Sequence, residues 1–286
     1  MIYLPIIGAF LEGAGMTIEK ILLKKRIFNY KNYTVYGFLS IVIAMFPLIF
    51  FFWKISPEAY LLKNLFVFFL IILFSILANL FTFVALKRED LTVMEPIRLM
   101  QPLLTILLAF IMSFFFEIYY SERNWSILIL GIIASVSLVL SHVKKHHLVF
   151  NKYIIAALLG SLFFAVELVL SKFILQYYNS FTFYFLRCLI IFLITFMIFR
   201  PKFKVDKKTS LLILLTGIIW VVYRLILYYG YEIYGIVFTT ILFILTPIFI
   251  YIFARIFLKE KITWRNIISS IIILICVVLA IILESK

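Results

Sequence analysis

Residues 91–110 read LTVMEPIRLMQPLLTILLAF, an apolar segment that nevertheless carries Glu95, Arg98, Gln101 and two prolines. Moving a charged side chain to the centre of a bilayer costs about 3 kcal/mol on insertion scales. Such a residue therefore normally faces a water-filled cavity or an oppositely charged partner. The meaning of this stretch depends on whether the chain lies in a membrane.

The composition is that of a membrane protein. Of the 286 residues, 66% are hydrophobic and 14% charged, and the mean hydropathy is +1.18; soluble proteins are about half apolar and a quarter charged. Apolar segments close to the roughly 20 residues that cross a bilayer lie at 2–23, 34–53, 64–86, 92–115, 125–142, 153–175, 181–199, 210–231, 235–257 and 265–283. We therefore predict an all-α integral membrane protein with ten transmembrane spans, numbered here in chain order.

Basic residues alternate between the loops. Those after odd-numbered spans hold Lys24, Lys25, Arg26, Lys31, Lys87, Arg88, Lys144, Lys145, Lys152, Arg200, Lys202, Lys204, Lys207, Lys208, Lys259, Lys261 and Arg265, whereas the other face holds Lys54, Lys63, Arg123 and Lys286. The positive-inside rule places the richer face in the cytoplasm and both termini outside. Because the charges alternate rather than cluster, we expect no nucleic-acid partner.

The chain contains a weak internal repeat. Aligning the halves pairs Gly8 with Gly160, Lys20 with Lys172 and Pro102 with Pro247. The predicted division is a first copy at 1–143, a basic linker at 144–152 and a second copy at 153–286. Each copy has five spans, an odd number, so the second runs through the membrane inverted. Inverted repeats are typical of alternating-access transporters with a site near the midplane.

The repeat and its prolines resemble the EamA family of the drug/metabolite transporter superfamily over the whole length. The tail TPIFIYIFARIFLKEKITWRNIISSIIILICVVLAIIL, with Pro247 and Glu260, is most similar. The resemblance implies a central cavity lined by spans 1, 3, 4, 6, 8 and 9, and both termini in the cytoplasm, opposite to the charge count. A shorter stretch, LEGAGMTIEK, is similar to the small multidrug resistance proteins, which implies that Glu12 binds protons and substrate in turn.

Helical phase groups the charged residues of spans 1 and 4. Gly8, Glu12, Gly15 and Glu19 share one face of span 1, and Glu95, Arg98, Pro102 and Thr105 share one face of span 4. The glycines allow close approach of another helix. Glu95 and Arg98 are three residues apart, so either they neutralise each other or they contact substrate.

Span 8 carries Trp220, Arg224 and Tyr228 on one face, and Asn79 of span 3 occupies the position matched to Arg224. An arginine flanked by aromatic rings can bind a carboxylate or phosphate; the alternative is a tyrosine belt with an arginine reaching the interface. Glu167 of span 6 could pair with Arg187.

The remaining ionisable residues have simpler interpretations. Lys20, Lys172, Glu232 and Arg255 lie near span ends, where they are expected to reach the interface. The histidines His142, His146 and His147 are interpreted as part of a solvated basic loop. No phosphate-binding GxxxxGK[ST] motif occurs, so direct drive by ATP is not expected.

The sequence thus predicts a secondary transporter of a small organic metabolite, amino-acid-like or zwitterionic, working by alternating access with a proton as coupling ion and with no cofactor. The predicted substrate-binding residues are Asn79, Glu95, Arg98, Gln101, Trp220, Arg224 and Tyr228; the proton-coupling residues are Glu12 and Glu167; the hinges are Pro102 and Pro247. A carboxylate in a low-dielectric cavity can exchange a proton near neutral pH. The alternatives are a cationic drug exporter and a flippase for a lipid-linked sugar.

A membrane-embedded enzyme is the rival class. Prenyl- and phosphotransferases of the bilayer hold Mg²⁺ with clustered aspartates, and this chain has only Asp90 and Asp206, far apart. We therefore predict a transporter of the cell membrane and not an enzyme.

Overall fold

The computed structural model describes residues 3–25, 28–89, 91–98, 100–142, 152–201 and 205–284, and over these ranges it is a bundle of helices. The α-helices are α1 (Tyr3–Lys24), α2 (Tyr30–Phe52), α3 (Leu62–Arg88), α4 (Leu91–Arg98), α5 (Met100–Met112), α6 (Trp125–His142), α7 (Lys152–Leu175), α8 (Ser180–Phe199), α9 (Lys207–Ile233), α10 (Ile236–Phe243), α11 (Thr246–Phe253) and α12 (Trp264–Glu284). Short 3-10 helices lie at Pro57–Tyr60 and Glu117–Glu122, and a π-helical turn at Ala254–Leu258. The all-α prediction is confirmed.

Seven helical segments are long and apolar enough to cross a membrane: Tyr30–Phe52, Leu62–Arg88, Lys152–Leu175, Ser180–Phe199, Lys207–Ile233, Ile236–Leu258 and Trp264–Leu283. Each coincides with a predicted span. The other three predicted spans correspond to α1, to α4 with α5, and to α6, which are shorter or more charged. A total of ten spans therefore stays a prediction.

The outer surface of the bundle is apolar. Large side chains such as Phe46, Phe50, Phe66, Leu211 and Ile275 are exposed along the long helices. A soluble protein rarely exposes so continuous an apolar surface, whereas hydrocarbon solvates it. With the candidate spans, this surface shows that the chain is a multi-pass membrane protein.

A predicted span is interrupted at a proline. A proline at position i removes the hydrogen bond to the carbonyl of residue i−4 and clashes with it. Pro247 thus acts on residue 243, the last residue of α10, so this break lies where the ring places it, whereas α2 continues through Pro47 without interruption. Residue 99, between α4 and α5, lies outside the described residues, so a hinge at Pro102 stays a prediction.

The helices pair in a pattern that is repeated between the two halves. α1 packs on α9 and α11, and its counterpart α7 packs on α3 and α5; α2 packs on α8, and α6 on α12. Both matched glycines lie at helix interfaces: a Cβ at Gly8 would lie 2.5 Å from the Phe243 ring of α10 and 3.2 Å from Ile226 of α9, and one at Gly160 would lie 2.6 Å from Thr82 of α3. Exchanging the halves reproduces every one of these pairings.

Helices α2 and α8 run antiparallel. At one end Asn179 Nδ2 and Thr182 Oγ1 donate to the carbonyl of Phe52, at 2.5 and 3.0 Å. At the other end the ammonium group of Lys31 lies 5.8 Å from the ring centroid of Phe199. Two equivalent helices in opposite directions are what an inverted repeat requires; the inversion of the complete halves stays a prediction.

The prediction that Lys20 and Lys172 reach the interface is wrong. Both are buried: Lys20 donates to the carbonyls of Leu86 and Glu89, and Lys172 donates to Glu122. Carbonyls at a helix C-terminus and a buried carboxylate solvate the ammonium groups in place of water. The two matched lysines thus tie helix ends to their neighbours.

We expect Pro247→Ala to join α10 and α11 into one helix, because alanine restores the N–H that the carbonyl of Phe243 lacks. Hydrogen–deuterium exchange of residues 243–248, followed by mass spectrometry, should slow about tenfold or more, since proline inside a helix costs about 3 kcal/mol. Pro47→Ala is the control and should change exchange in α2 much less, because α2 is already continuous. Unchanged exchange at 243–248 would show that the break does not depend on proline.

Candidate functional site

The bundle encloses a cavity of about 730 Å³. Its wall includes six of the predicted site residues: Glu12, Asn79, Arg98, Gln101, Trp220 and Arg224. A second cavity of about 450 Å³ shares Glu12, Arg98 and Gln101 with it and adds Pro102 and Pro247. The charges and prolines singled out in the sequence therefore come together in the interior rather than facing lipid.

Glu12 of α1 connects α4 to α11. Its Oε1 lies 3.1 Å from Nη2 of Arg98 in α4. Its Oε2 accepts a hydrogen bond of 2.8 Å from Oγ1 of Thr246, the first residue of α11. One carboxylate thus contacts both segments, a connection that spacing within single helices does not show.

The predicted pairing of Glu95 with Arg98 cannot be placed in the same way. Residue 95 belongs to α4, but its side chain lies outside the described residues. Arg98 reaches across to Glu12 of another helix. Its positive charge is therefore directed at the candidate proton-coupling residue.

Glu167 of α7 is completely buried between two arginines. Its Oε1 lies 2.8 Å from Nη1 of Arg187, and its Oε2 lies 3.6 Å from Nη1 of Arg224. Ser171 donates to Oε1 at 3.1 Å. The expected ion pair with Arg187 is confirmed, and because Glu167 serves two cations, this group of three side chains carries an excess positive charge.

Arg224 lies among aromatic rings. Its guanidinium carbon is 5.8 Å from the ring centroid of Phe164, 5.7 Å from that of Tyr223 and 5.9 Å from that of Tyr228. These distances allow cation–π attraction, and the aromatic walls lower the local dielectric around the cation. Arg224 lines the cavity, so an anionic group there would meet a guanidinium held from behind by Glu167.

Two charged residues of the cavity wall are not among the predicted site residues. Glu19 is buried in the wall and accepts a hydrogen bond of 2.9 Å from Nε1 of Trp220. Its position on the same face of span 1 as Glu12 is the sequence signal that could identify it, whereas its place near the end of the span argues against a role in the site. Arg187 was assigned only a structural pair, yet it also lines the cavity.

The neutral predicted residues have supporting positions. Asn79 lines the cavity and donates to the carbonyl of Ser75 at 2.8 Å. Tyr228 is fully buried and accepts from Arg187, and Ser75 Oγ accepts from the same guanidinium at 2.7 Å. Tyr228 thus orients Arg187 from outside the described cavity wall, whereas Gln101 lines both cavities.

The charges around the cavity balance in number but not in position. The described arginines around the cavity are Arg98, Arg187 and Arg224, and the described glutamates are Glu12, Glu19 and Glu167. Two arginines share Glu167, whereas Glu19 is hydrogen-bonded to a neutral indole. The cavity therefore has a positive region at Arg187 and Arg224 and, apart from it, the carboxyl group of Glu19.

Within the described residues, no three histidine, cysteine, aspartate or glutamate side chains converge on one point. The interpretation of the histidine loop lies outside this part of the chain, because the side chain of residue 142 and the whole of 146 and 147 are not described.

Comparison with known proteins agrees with this architecture. Residues 151–282 match the model of the EamA-like transporter family, which lies almost entirely within the second predicted copy. A solved crystal structure of a protein is similar over 98% of this chain and 97% of its own, with a TM-score of 0.71 and 13% sequence identity; at that identity the likeness shows the fold alone. No curated protein matches the sequence.

We expect Glu167→Gln to destabilise the protein strongly, because it leaves two buried guanidinium groups without a counter-ion. Removing one partner of a buried ion pair costs about 3–5 kcal/mol. Thermal unfolding of the purified protein in detergent should shift down by several degrees. Glu58→Gln, at an exposed position in the 3-10 helix Pro57–Tyr60, should leave the midpoint unchanged, and Glu12→Gln should lower it less because Glu12 faces a cavity. A Glu167→Gln midpoint equal to wild type would contradict the charge-balancing role.

Proposed function

We propose that the chain, whose residues 151–282 match the EamA-like transporter family, is a secondary active transporter of small zwitterionic metabolites. The observation that carries the proposal is a cavity with a positive region at Arg224 and a separate carboxyl group at Glu19, which can accept from an ammonium group. Members of the family are transporters rather than enzymes, which supports transport over catalysis. The cell membrane is the proposed location, with the termini extracytoplasmic by the charge count.

An amino-acid-like solute fits the distribution of charge in the cavity. Trp220 and Arg224 are four residues apart on α9, so the positions they mark lie about 6 Å apart along the helix. A carboxylate would bind at Arg224, where a guanidinium can donate two hydrogen bonds. An ammonium group would bind at Glu19, next to the face of Trp220. A neutral apolar side chain would be left for the aromatic wall.

Glu12 is the proposed proton-coupling residue. When it is ionised, it attracts Arg98 and accepts from Thr246, and so draws α4 towards α11. Protonation removes the attraction for Arg98 and frees both segments to move about Pro102 and Pro247. Proton binding would thereby be linked to the conformational change through one side chain. Glu167, buried between two arginines, is better suited to charge balance than to proton exchange.

A cationic drug is the second candidate substrate, and one observation favours it. The carboxylate of Glu19 and the indole of Trp220 lie together, an arrangement that binds organic cations. If this part of the cavity dominates, recognition depends on Glu19 and not on Arg224. A zwitterion should therefore require both Glu19 and Arg224, whereas an organic cation should require Glu19 alone.

Counterflow into proteoliposomes distinguishes them, using a panel of zwitterionic amino acids, organic cations and organic anions. For a zwitterion we expect Arg224→Met and Glu19→Gln each to reduce uptake about tenfold or more, since a charge-assisted hydrogen bond contributes about 1.5–3 kcal/mol. For an organic cation, only Glu19→Gln should do so. Arg255→Gln, exposed at the π-helical turn, is the control and should match wild type.

The coupling role has its own measurement. In the same vesicles, Glu12→Gln should abolish the stimulation of uptake by an imposed pH gradient while exchange without a gradient continues, because the amide cannot release a proton. Stimulation that persists in Glu12→Gln would contradict coupling at this residue. Failure of the whole panel to move through the wild-type protein would contradict the proposed substrate class.

A further inference from the structure

We infer that Glu122 and Glu260 are opposing latches that hold shut the two ends of the path through the protein. The inference rests on the proposed transport function, since it assigns the contacts that must break when the central cavity opens to either side. Both residues lie between helices near the ends of the bundle, away from the substrate-binding and coupling residues. Neither was selected from the sequence for a role in the site.

Glu122 holds the start of α10. Its carboxylate accepts hydrogen bonds from the backbone N–H groups of Ile236, at 2.7 Å, and Val237, at 2.8 Å. These are the first two residues of α10, where unpaired N–H groups and the helix dipole attract an anion. Lys172 of α7 donates to the same carboxylate. Glu122 is 1% exposed, so three donors replace the water it has lost.

Gly235 lets α10 approach this carboxylate closely. Its φ of +84° is rarely adopted by other residues, and a Cβ there would lie 2.9 Å from Oε1 of Glu122. The turn before α10 is therefore shaped around Glu122. A contact this specific, between an inter-helix segment of the first half and a half-helix of the second, is one that a movement of α10 must break.

The Glu122 contact stands between two cavities. An outer one, of about 1120 Å³, is lined by Ser121, Lys172, Tyr231 and Glu232 among others. The inner one, at Pro102 and Pro247, is lined by Tyr231, Thr240 and Phe243. Tyr231 belongs to both walls and is 1% exposed. Displacing α10 from Glu122 would take Thr240 and Phe243 away from Tyr231 and join the two spaces.

Glu260 makes the equivalent contact at the other end of the bundle. Its Oε1 accepts from the backbone N–H of Leu91, the first residue of α4, at 3.2 Å. Helices α4 and α10 each begin on a glutamate supplied from the other half. The same kind of contact thus occurs twice, once at each end. The backbone hydrogen bonds to Glu122, of 2.7 and 2.8 Å, are shorter than the one of 3.2 Å to Glu260.

The two latches would alternate. Release of α10 lets it turn about the break before Pro247 and opens the Glu122 end; release of α4 lets its start move away from Glu260 and opens the Glu260 end. Glu12 contacts Arg98 of α4 and Thr246 of α11, so a movement of one segment reaches the other. Weakening one latch should therefore favour opening at that end and disfavour it at the other.

Cysteine accessibility tests this directly in the full-length protein in detergent, with Cys188 and Cys276 changed to alanine. Thr240→Cys on α10 reports the Glu122 end, and Thr216→Cys, in the central cavity towards the start of α9, reports the Glu260 end. The rate of modification by a charged water-soluble maleimide is measured by mass spectrometry. We expect Glu122→Gln to speed Thr240→Cys about tenfold and not Thr216→Cys; Glu260→Gln should do the reverse.

Glu117→Gln is the matched control, because Glu117 opens the same 3-10 helix but is exposed; it should change neither rate. Lys172→Gln keeps both backbone contacts and removes the ammonium group, so it should speed Thr240→Cys about threefold and serves if Glu122→Gln does not fold. Equal acceleration of both reporters indicates general loosening and overturns the inference, as does no acceleration. Because cysteine labelling needs no solute, its result does not depend on the counterflow experiment. The latch inference can hold when no solute in the panel is transported, and it can be overturned when one is.

Discussion

The carboxylate of Glu167, fully buried in α7, lies between the guanidinium groups of Arg187 in α8 and Arg224 in α9. Separating these charges inside a bilayer would leave ions without water or counter-ions, at a cost of several kcal/mol for each. The three helices are therefore constrained to stay together, and Ser75 joins α3 to them through Arg187. This constraint defines a fixed side of the bundle, against which other helices can move.

The opposite side is built from segments that can move. Helix α10 is only eight residues long and ends four residues before Pro247. Glu12 joins α1 to this region and to α4, because it binds Thr246 beside the break and Arg98 of α4. Arg98 and Glu12 line a cavity, with side chains 12% and 11% exposed, so their pair can open at lower cost than the one at Glu167.

The sequence predicts composition-driven features well and long-range partners poorly. Apolar length locates the helices, and Pro247 marks the break after α10. Matched Gly8 and Gly160 mark equivalent close contacts. Partner choice is different: the fold brings Glu12 of another helix to Arg98, a contact that spacing along α4 does not reveal. The local pattern places Lys172 at the interface, because it does not reveal Glu122. That carboxylate, 50 residues away in the sequence, is the partner that allows the lysine to be buried.

The proposed repeat offers a reason why some charges occur once and others twice. A solute site needs one asymmetric cavity, and Glu12 and Arg224 have no charged counterpart in the other half. Under the proposed latch mechanism, contacts that close the path are needed at both ends, and an inverted scaffold would supply both. Glu122 before α6 and Glu260 before α12 fulfil that requirement, each binding the first N–H of a half-helix in the other half. On these proposals, a charge present in both copies is as informative as one present in a single copy: the first would serve the alternating movement and the second the recognition of the solute.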